Sequence, residues 1–230
     1  MQVSINQDDN PARRFALTLK LAWPYLSFSA LMMPVLYLVK PLLAVLPGAL
    51  FLFILYFFRN PRRVIPPGDN LILSPADGVI LDLGESYEEM YIKDKAIRVS
   101  IFLSILNVHI NRSPFKGEVK YRYYRPGKFI PAFKSHASDL NEKNYIGLEN
   151  RDFKLMVCQI TGFIARRIKC WVDEGKWLES GEIIGIIRFG SGAELFLPAG
   201  TKIQVKIGDK VKAGETIIGI LPDARSDDNG

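Results

Sequence analysis

Cysteine is nearly absent from this 230-residue chain, which carries only Cys158 and Cys170. Two thiols with no CxxC pair, and with no histidine at ligand spacing, exclude a disulfide framework and a structural zinc cluster. They fit a reducing compartment, both are expected in the core, and no metal site is expected. Histidine is equally scarce, with His109 and His136 alone. Zinc-finger and RNA-recognition signatures are missing, so the net charge of +6 does not point to nucleic acid as a partner. The first long apolar run lacks the small-residue cleavage site of a signal peptide, and a second apolar run follows it at once.

Those two runs dominate the first quarter of the chain. Residues 21–39, LAWPYLSFSALMMPVLYLV, contain no charge, and at helical rise they extend roughly 28 Å, close to the hydrocarbon thickness of a bilayer. Lys40 ends the run, and residues 41–58, PLLAVLPGALFLFILYFF, form a second uncharged run. Pro24, Pro34, Pro41 and Pro47 are expected to kink these helices, so the hairpin either spans the bilayer or dips into it. Arg13, Arg14 and Lys20 precede it, and Arg59, Arg62 and Arg63 follow it. That bias puts both flanks, and the domain beyond them, on the cytoplasmic side of a cell membrane. The expected organisation is a polar segment 1–14, a membrane-associated helical hairpin 15–60, a folded domain 61–222 and a disordered tail 223–230. Beside a membrane hairpin, the basic balance favours a phospholipid membrane as partner.

From Asp69 onward, short runs rich in Val, Ile, Tyr and Phe are broken by Gly, Pro, Asn and Asp, which predicts a mainly β, antiparallel sheet domain. Helical patterning is scarce there. PAFKSHASDLNEKN is read as a loop or one helical turn, and ITGFIARRIKCWV fits helix and strand alike. Two echoes stand out: EGKWLESGEIIG at 174–185 with GDKVKAGETIIG at 208–219, and SPADGVI at 74–80 with SPFKGEV at 113–119. Such repeats predict similar strand-turn-strand units around one core. The later echo resembles the half-barrel of biotinyl and lipoyl carrier modules and of membrane-fusion adaptors. The carrier lysine tripeptide Met-Lys-Met is not present, and Asp-Lys-Ala occurs only at residues 94–96, outside that echo.

In IIRFGSGAELFLP, residues 186–198, a serine interrupts two strand-like runs between glycines. A hairpin turn is the plain reading, since glycine supplies the positive φ of tight turns. Ser191 is also sterically accessible there. A histidine could take its proton, and an aspartate could fix that histidine's tautomer. His109 in LNVHINRSP and Asp77 in SPADGV are the candidates, although each alone also reads as a structural residue.

SPADG, NVHINRSP, PGKF, GFIARRI and RFGS, in that order, resemble the phosphatidylserine decarboxylase proenzymes of the short bacterial and archaeal type, over about Arg59 to Ile220. The resemblance implies that Asp77, His109 and Ser191 act on the chain's own Gly190-Ser191 bond. It implies an ester, then β-elimination, and a pyruvoyl group formed from Ser191 with loss of ammonia. A β chain 1–190 would remain associated with an α chain 191–230. Decarboxylation of phosphatidylserine to phosphatidylethanolamine and CO2 would then proceed through a Schiff base to the pyruvoyl carbonyl, with His109 as the proton donor. Gly192 departs from the residue more often found after that serine. Arg112, Lys128, Arg166 and Arg167 lie in the matching motifs as candidates for headgroup phosphate or carboxylate. Lys116, Lys120, Arg122 and Arg125 are read as a basic surface facing anionic lipid. A homo-oligomer is possible. A noncatalytic adaptor, or a relative that does not process itself, would account for less of the pattern.

Overall fold

A computed structural model of the chain describes residues 10–128, 140–150, 153–162, 168–188 and 191–222, and of Ser191 the backbone. Two compact units meet in sequence between Arg62 and Arg63.

The first unit is helical. Helix α1 spans Pro11–Val39, with the Asn10 side chain accepting from the Ala12 N–H and Pro11 at the first helical position, both favourable at a helix start. It therefore starts well before the apolar run, because capping and not hydropathy sets its beginning. Pro24 and Pro34 lie inside it. A 3-10 turn, Pro41–Ala44, leads into helix α2, Val45–Phe57. Pro41 opens the turn and Pro47 falls in the first turn of α2, where no intrahelical N–H is needed. The buried Ser29 hydroxyl donates to the Pro47 carbonyl at 2.5 Å and ties the helices together. Trp23, Phe28, Leu31, Leu38, Leu42, Leu46 and Leu52 are exposed. α1 is long and apolar enough to cross a membrane, whereas the second leg is shorter.

The second unit is a mainly β fold, and every pairing between its strands is antiparallel. In chain order the strands are β1 Leu71–Leu73, β2 Gly78–Glu88, β3 Asp94–Leu103, β4 Ile110–Arg112, β5 Gly117–Arg125, β6 Lys143–Asn150 and β7 Phe153–Ile160, then β8 Ile168–Cys170, β9 Trp177–Leu178, β10 Ile183–Ile187, β11 Ser191–Pro198, β12 Lys202–Ile203, β13 Lys210–Val211 and β14 Ile217–Ile220. An eight-stranded sheet runs β13-β2-β3-β11-β7-β6-β5-β9, and two three-stranded sheets run β1-β14-β12 and β4-β10-β8. One core joins Ile72, Ile218 and Ile184 of the small sheets to Val99, Ile101, Leu148, Val157, Leu195 and others of the large one. Each such side chain contributes roughly 1.5–3 kcal/mol through burial. The opposite face of the large sheet buries Tyr145, Met156, Cys158, Ile160 and Phe196 beneath Met90, Tyr91 and Ile92.

Both sequence echoes are structural repeats. In one unit, Ser74 Oγ donates to the Ala76 carbonyl, Ser74 N donates to Thr216 O and Gly214 N donates to Ser74 O. In the other, Ser113 Oγ donates to Phe115 O, Ser113 N to Glu182 O and Gly181 N to Ser113 O. Gly208 N to Ile80 O is matched by Gly175 N to Val119 O, and Leu221 N to Asn70 O by Ile187 N to His109 O. The later copy carries one extra residue, Glu215, between the counterparts of Gly181 and Glu182.

The hairpin-turn reading of Gly190-Ser191-Gly192 does not hold. β10 pairs with β4 and β8, whereas β11 pairs with β3 and β7. The runs on either side of the glycines thus belong to different sheets, and the chain crosses between layers there. β8 resolves the Ile168–Cys170 part of the ambiguous segment as strand. Most of PAFKSHASDLNEKN, including His136, lies outside the described residues.

Candidate active site

Asp77 closes the turn between β1 and β2, and its carboxylate is almost buried. Two groups hold it there. The Arg63 Nη2 donates to both carboxylate oxygens at 2.7 and 2.8 Å, and the Ala213 N–H donates to Oδ1 at 2.8 Å. A buried carboxylate needs such charge-assisted bonds to offset its desolvation. Arg63 is itself only 5% exposed in its side chain and also lies 3.5 Å from Glu215.

His109 sits on the turn leading from β3 into β4 and is fully buried. Its Nδ1 lies 3.0 Å from the Asn107 carbonyl. A carbonyl can only accept, so this contact requires the proton on Nδ1, and the neutral ring then carries its lone pair on Nε2. The Asn107 carbonyl thus accepts from the ring at Nδ1, and the bonds of the Asp77 carboxylate go to Arg63 and Ala213.

Ser191 begins β11, where its backbone pairs with Leu103 at the end of β3. On the other side of β3, Val79 pairs with Phe102, whose second neighbour is Gly192. Asp77 and Ser191 thus flank the same end of one strand, and the turn that carries His109 leaves from that end. The His109 carbonyl in turn accepts from Ile187 N at 3.2 Å, just upstream of the glycine-serine pair. Gly190 itself lies outside the described residues.

A buried amide ladder supports this end of the sheet. Asn144 Nδ2 donates to Gln159 Oε1 at 2.8 Å, Gln159 Nε2 donates to Asn111 Oδ1 at 2.8 Å, and Asn111 Nδ2 reaches the Pro75 carbonyl at 3.4 Å. Since a buried amide left unbonded costs about 1–3 kcal/mol, the ladder fixes β6, β7, β4 and the Asp77 turn relative to one another. A sequence signal for it existed in single polar residues inside apolar runs, Gln159 in FKLMVCQITG and Asn111 in NVHINRSP. Arg63 offered none beyond its place among basic residues after the hairpin.

The remaining candidates separate. Arg112 is buried, and its Nη1 donates to the Gly181 carbonyl at 2.9 Å, so it braces the second turn unit from within, away from the surface. Lys128 is exposed and its backbone bridges to Asn141. Arg166 and Arg167 lie outside the described residues. The expected basic surface is largely neutralised, with Lys116 paired to Asp69, Lys120 to Glu118 and Arg122 to Asp173. Burial holds the Cys158 thiol protonated well above its ordinary range, which makes it a core group and not a nucleophile.

The family model for phosphatidylserine decarboxylase matches residues 50–219. The chain is 53% identical over 178 residues to the phosphatidylserine decarboxylase proenzyme of Carboxydothermus hydrogenoformans, covering 77% of this chain and 84% of that one. It is 45% identical over 202 residues to the proenzyme of Symbiobacterium thermophilum, covering 87% and 94%. A third proenzyme, from Ehrlichia chaffeensis, is 48% identical over 172 residues, covering 74% and 76%.

Proposed function

The chain belongs to the phosphatidylserine decarboxylase family, and from that premise we propose that it cuts itself before Ser191 and then converts phosphatidylserine to phosphatidylethanolamine and CO2. The observation that carries this reading is the crossing between layers. Ile187 is fixed in one sheet by the His109 carbonyl and residue 191 in another by Leu103. Cutting between them frees neither piece, because β11 stays central in the large sheet, β13 stays on its edge and β12 and β14 stay in a small sheet.

In the cut, the Ser191 hydroxyl adds to the Gly190 carbonyl carbon as His109 Nε2 takes the hydroxyl proton. The Gly190–Ser191 amide breaks and its nitrogen takes up a proton, leaving an ester. Loss of the Ser191 Cα proton then expels the Gly190 carboxylate, and water replaces the nitrogen, which leaves as ammonia. Asp77, charge-balanced by Arg63, places a fixed negative charge at the sheet end where the imidazolium forms. The junction suits a pyruvoyl group, because its serine opens a strand with a neighbour on each side, at the sheet end from which the turn carrying the buried His109 departs. When present, that carbonyl supplies the electron sink that decarboxylation of an amino acid requires. In turnover His109 delivers the proton to the substrate Cα. Lys128, Arg166 and Arg167 are the basic groups we assign to the headgroup. The apolar helical unit would hold the enzyme at the bilayer where its substrate resides.

Mass spectrometry of the purified protein tests the reading. A carboxy-terminal fragment starting at residue 191 is expected, lighter by one ammonia than the same peptide with an amino-terminal serine. An active preparation that remains one continuous chain would sink it.

A further inference from the structure

Within the helical unit, the first turns of α1 and the segment after α2 line an open cleft of about 460 Å³, inside the range of small-molecule sites. Arg14, Arg59 and Arg62 line it, together with the Thr18 hydroxyl and the apolar Phe15 and Leu55. None of its lining residues is acidic. The Arg14 Nε is buried in the wall with no hydrogen-bond partner among the described residues. Arg59 is held in place by a bond from Nη1 to the Tyr56 carbonyl at 2.7 Å, and its guanidinium lies 3.8 Å over the Tyr56 ring.

We propose that this cleft binds the phosphate of an anionic glycerophospholipid, gripped by Arg14, Arg59 and Arg62. Guanidinium forks match phosphate oxygens better than they match any neutral group. The apolar part of the lining suits the glycerol and the first acyl carbons, and the exposed apolar residues of α1 and α2 offer a path for the rest of the chains. The site thereby gives the anchor a preference for anionic leaflets. It uses the membrane reading of the hairpin and is independent of the self-cutting chemistry.

The test titrates the purified full chain in detergent micelles with phosphatidate and counts bound lipid by native mass spectrometry. The Arg14→Gln, Arg59→Gln, Arg62→Gln triple variant is expected to bind at least about tenfold more weakly. The Arg13→Gln, Lys20→Gln, Lys40→Gln triple removes the same charge from exposed positions and is expected to stay within about threefold, since diffuse attraction acts at long range and is screened by salt. Equal losses in the two triples would overturn the site in favour of a diffuse basic surface. If the first triple does not fold, Arg14→Gln and Arg62→Gln singly replace it, each expected to lose several-fold against an unchanged Arg13→Gln. Inorganic phosphate is expected not to displace the lipid, and complete displacement would overturn the lipid assignment in favour of a soluble phosphate site. Decarboxylation measured on the same preparations keeps the questions apart, because an active enzyme that binds phosphatidate no better than its triple variant sinks this site alone.

Discussion

The turn unit built from residues 70–80 and 208–221 and the one built from 109–119 and 175–187 share their backbone bonds and differ in what their side chains do. In the first, the residue before Gly78 is Asp77, bonded to Arg63 and Ala213. At the matching place in the second, before Gly117, stands Lys116, paired with the exposed Asp69. Conversely, His109, Asn111 and Arg112 of the second unit stand where the first has Asn70, Ile72 and Leu73. Asn70 is exposed, whereas Ile72 and Leu73 belong to the core. A duplicated scaffold has thus placed its carboxylate in one copy and its imidazole in the other. The serine lies outside both copies, on the strand that leaves the second unit. Positions that match in backbone but not in chemistry are therefore where catalysis is expected, and paired substitutions can probe that.

The largest contrast is between His109→Gln and Asn70→Gln. The first is expected to slow self-cutting by on the order of 10⁶-fold, as loss of a catalytic base does in serine hydrolases, while the second leaves it unchanged. Time courses on denaturing gels read both. Comparable slowing in Asn70→Gln would mean that the repeat itself, and not its divergence, governs the reaction. Next, Asp77→Asn, which removes a fixed charge from the sheet end, is expected to slow cutting by roughly 10²–10³-fold, against no effect for Lys116→Gln. An Asp77→Asn chain that cuts normally would reduce Asp77 to a turn residue.

Arg63 sharpens the same comparison, because the second unit has no counterpart to its grip on a buried carboxylate. Arg63→Gln leaves Asp77 with the Ala213 N–H and is expected to destabilise the fold by about 3–5 kcal/mol, measured by urea unfolding of the uncut Ser191→Ala chain. Arg63→Lys restores the charge but not the geometry and should recover part of that loss. Wild-type stability in Arg63→Gln would mean that water already satisfies the carboxylate.

The glycines at the two turns test how far the equivalence extends. Gly181 and Gly214 have φ of +77° and +74°, so alanine at either is expected to cost about 1–2 kcal/mol from backbone strain alone. An added Cβ at Gly181 would lie 2.3 Å from Ile65 Cδ1, whereas at Gly214 its nearest neighbour is Arg112 Cδ at 3.1 Å. Gly181→Ala should therefore be the less stable, and a reversed order in thermal melts would show that Ile65 moves aside more readily than Arg112.

Much of this was legible in the residues. The repeats were visible as echoes because both copies need the same Ser-Pro turn and the same positive-φ glycine. The strand content followed from β-branched and aromatic runs. Pairing partners were not legible: nothing in IIRFGSGAELFLP says that its halves belong to different sheets, since both read as apolar strands around glycine. Arg63 was read as a juxtamembrane charge because its carboxylate lies 14 residues away across a turn. The amide ladder escaped because its links join residues 15, 48 and 36 positions apart. For the hairpin, hydropathy located the apolar stretch but not the helix start, which the Asn10-Pro11 cap sets.

Outside the two turn units, on the opposite face of the large sheet, burial holds a thiol and two phenols protonated, and the smallest expected effect measures that. Burial pushes the Cys158 thiol far above its ordinary range, and Tyr145 and Tyr91 on the same face move upward for the same reason. A thiol harder to ionise in the folded chain than in the unfolded one keeps its proton on folding, while the unfolded chain releases it above about pH 9. The stability this contributes is thus complete at neutral pH and declines as pH rises from there, with the tyrosines adding a second decline above about pH 10. Melting temperature followed against pH should fall first on the thiol limb, and Cys158→Ala should lie lower at pH 7 yet lose that limb. A wild-type profile flat to pH 10 would mean that Cys158 reaches solvent, and alkylation of Cys158 as fast as of the half-buried Cys170 would say the same by a direct route.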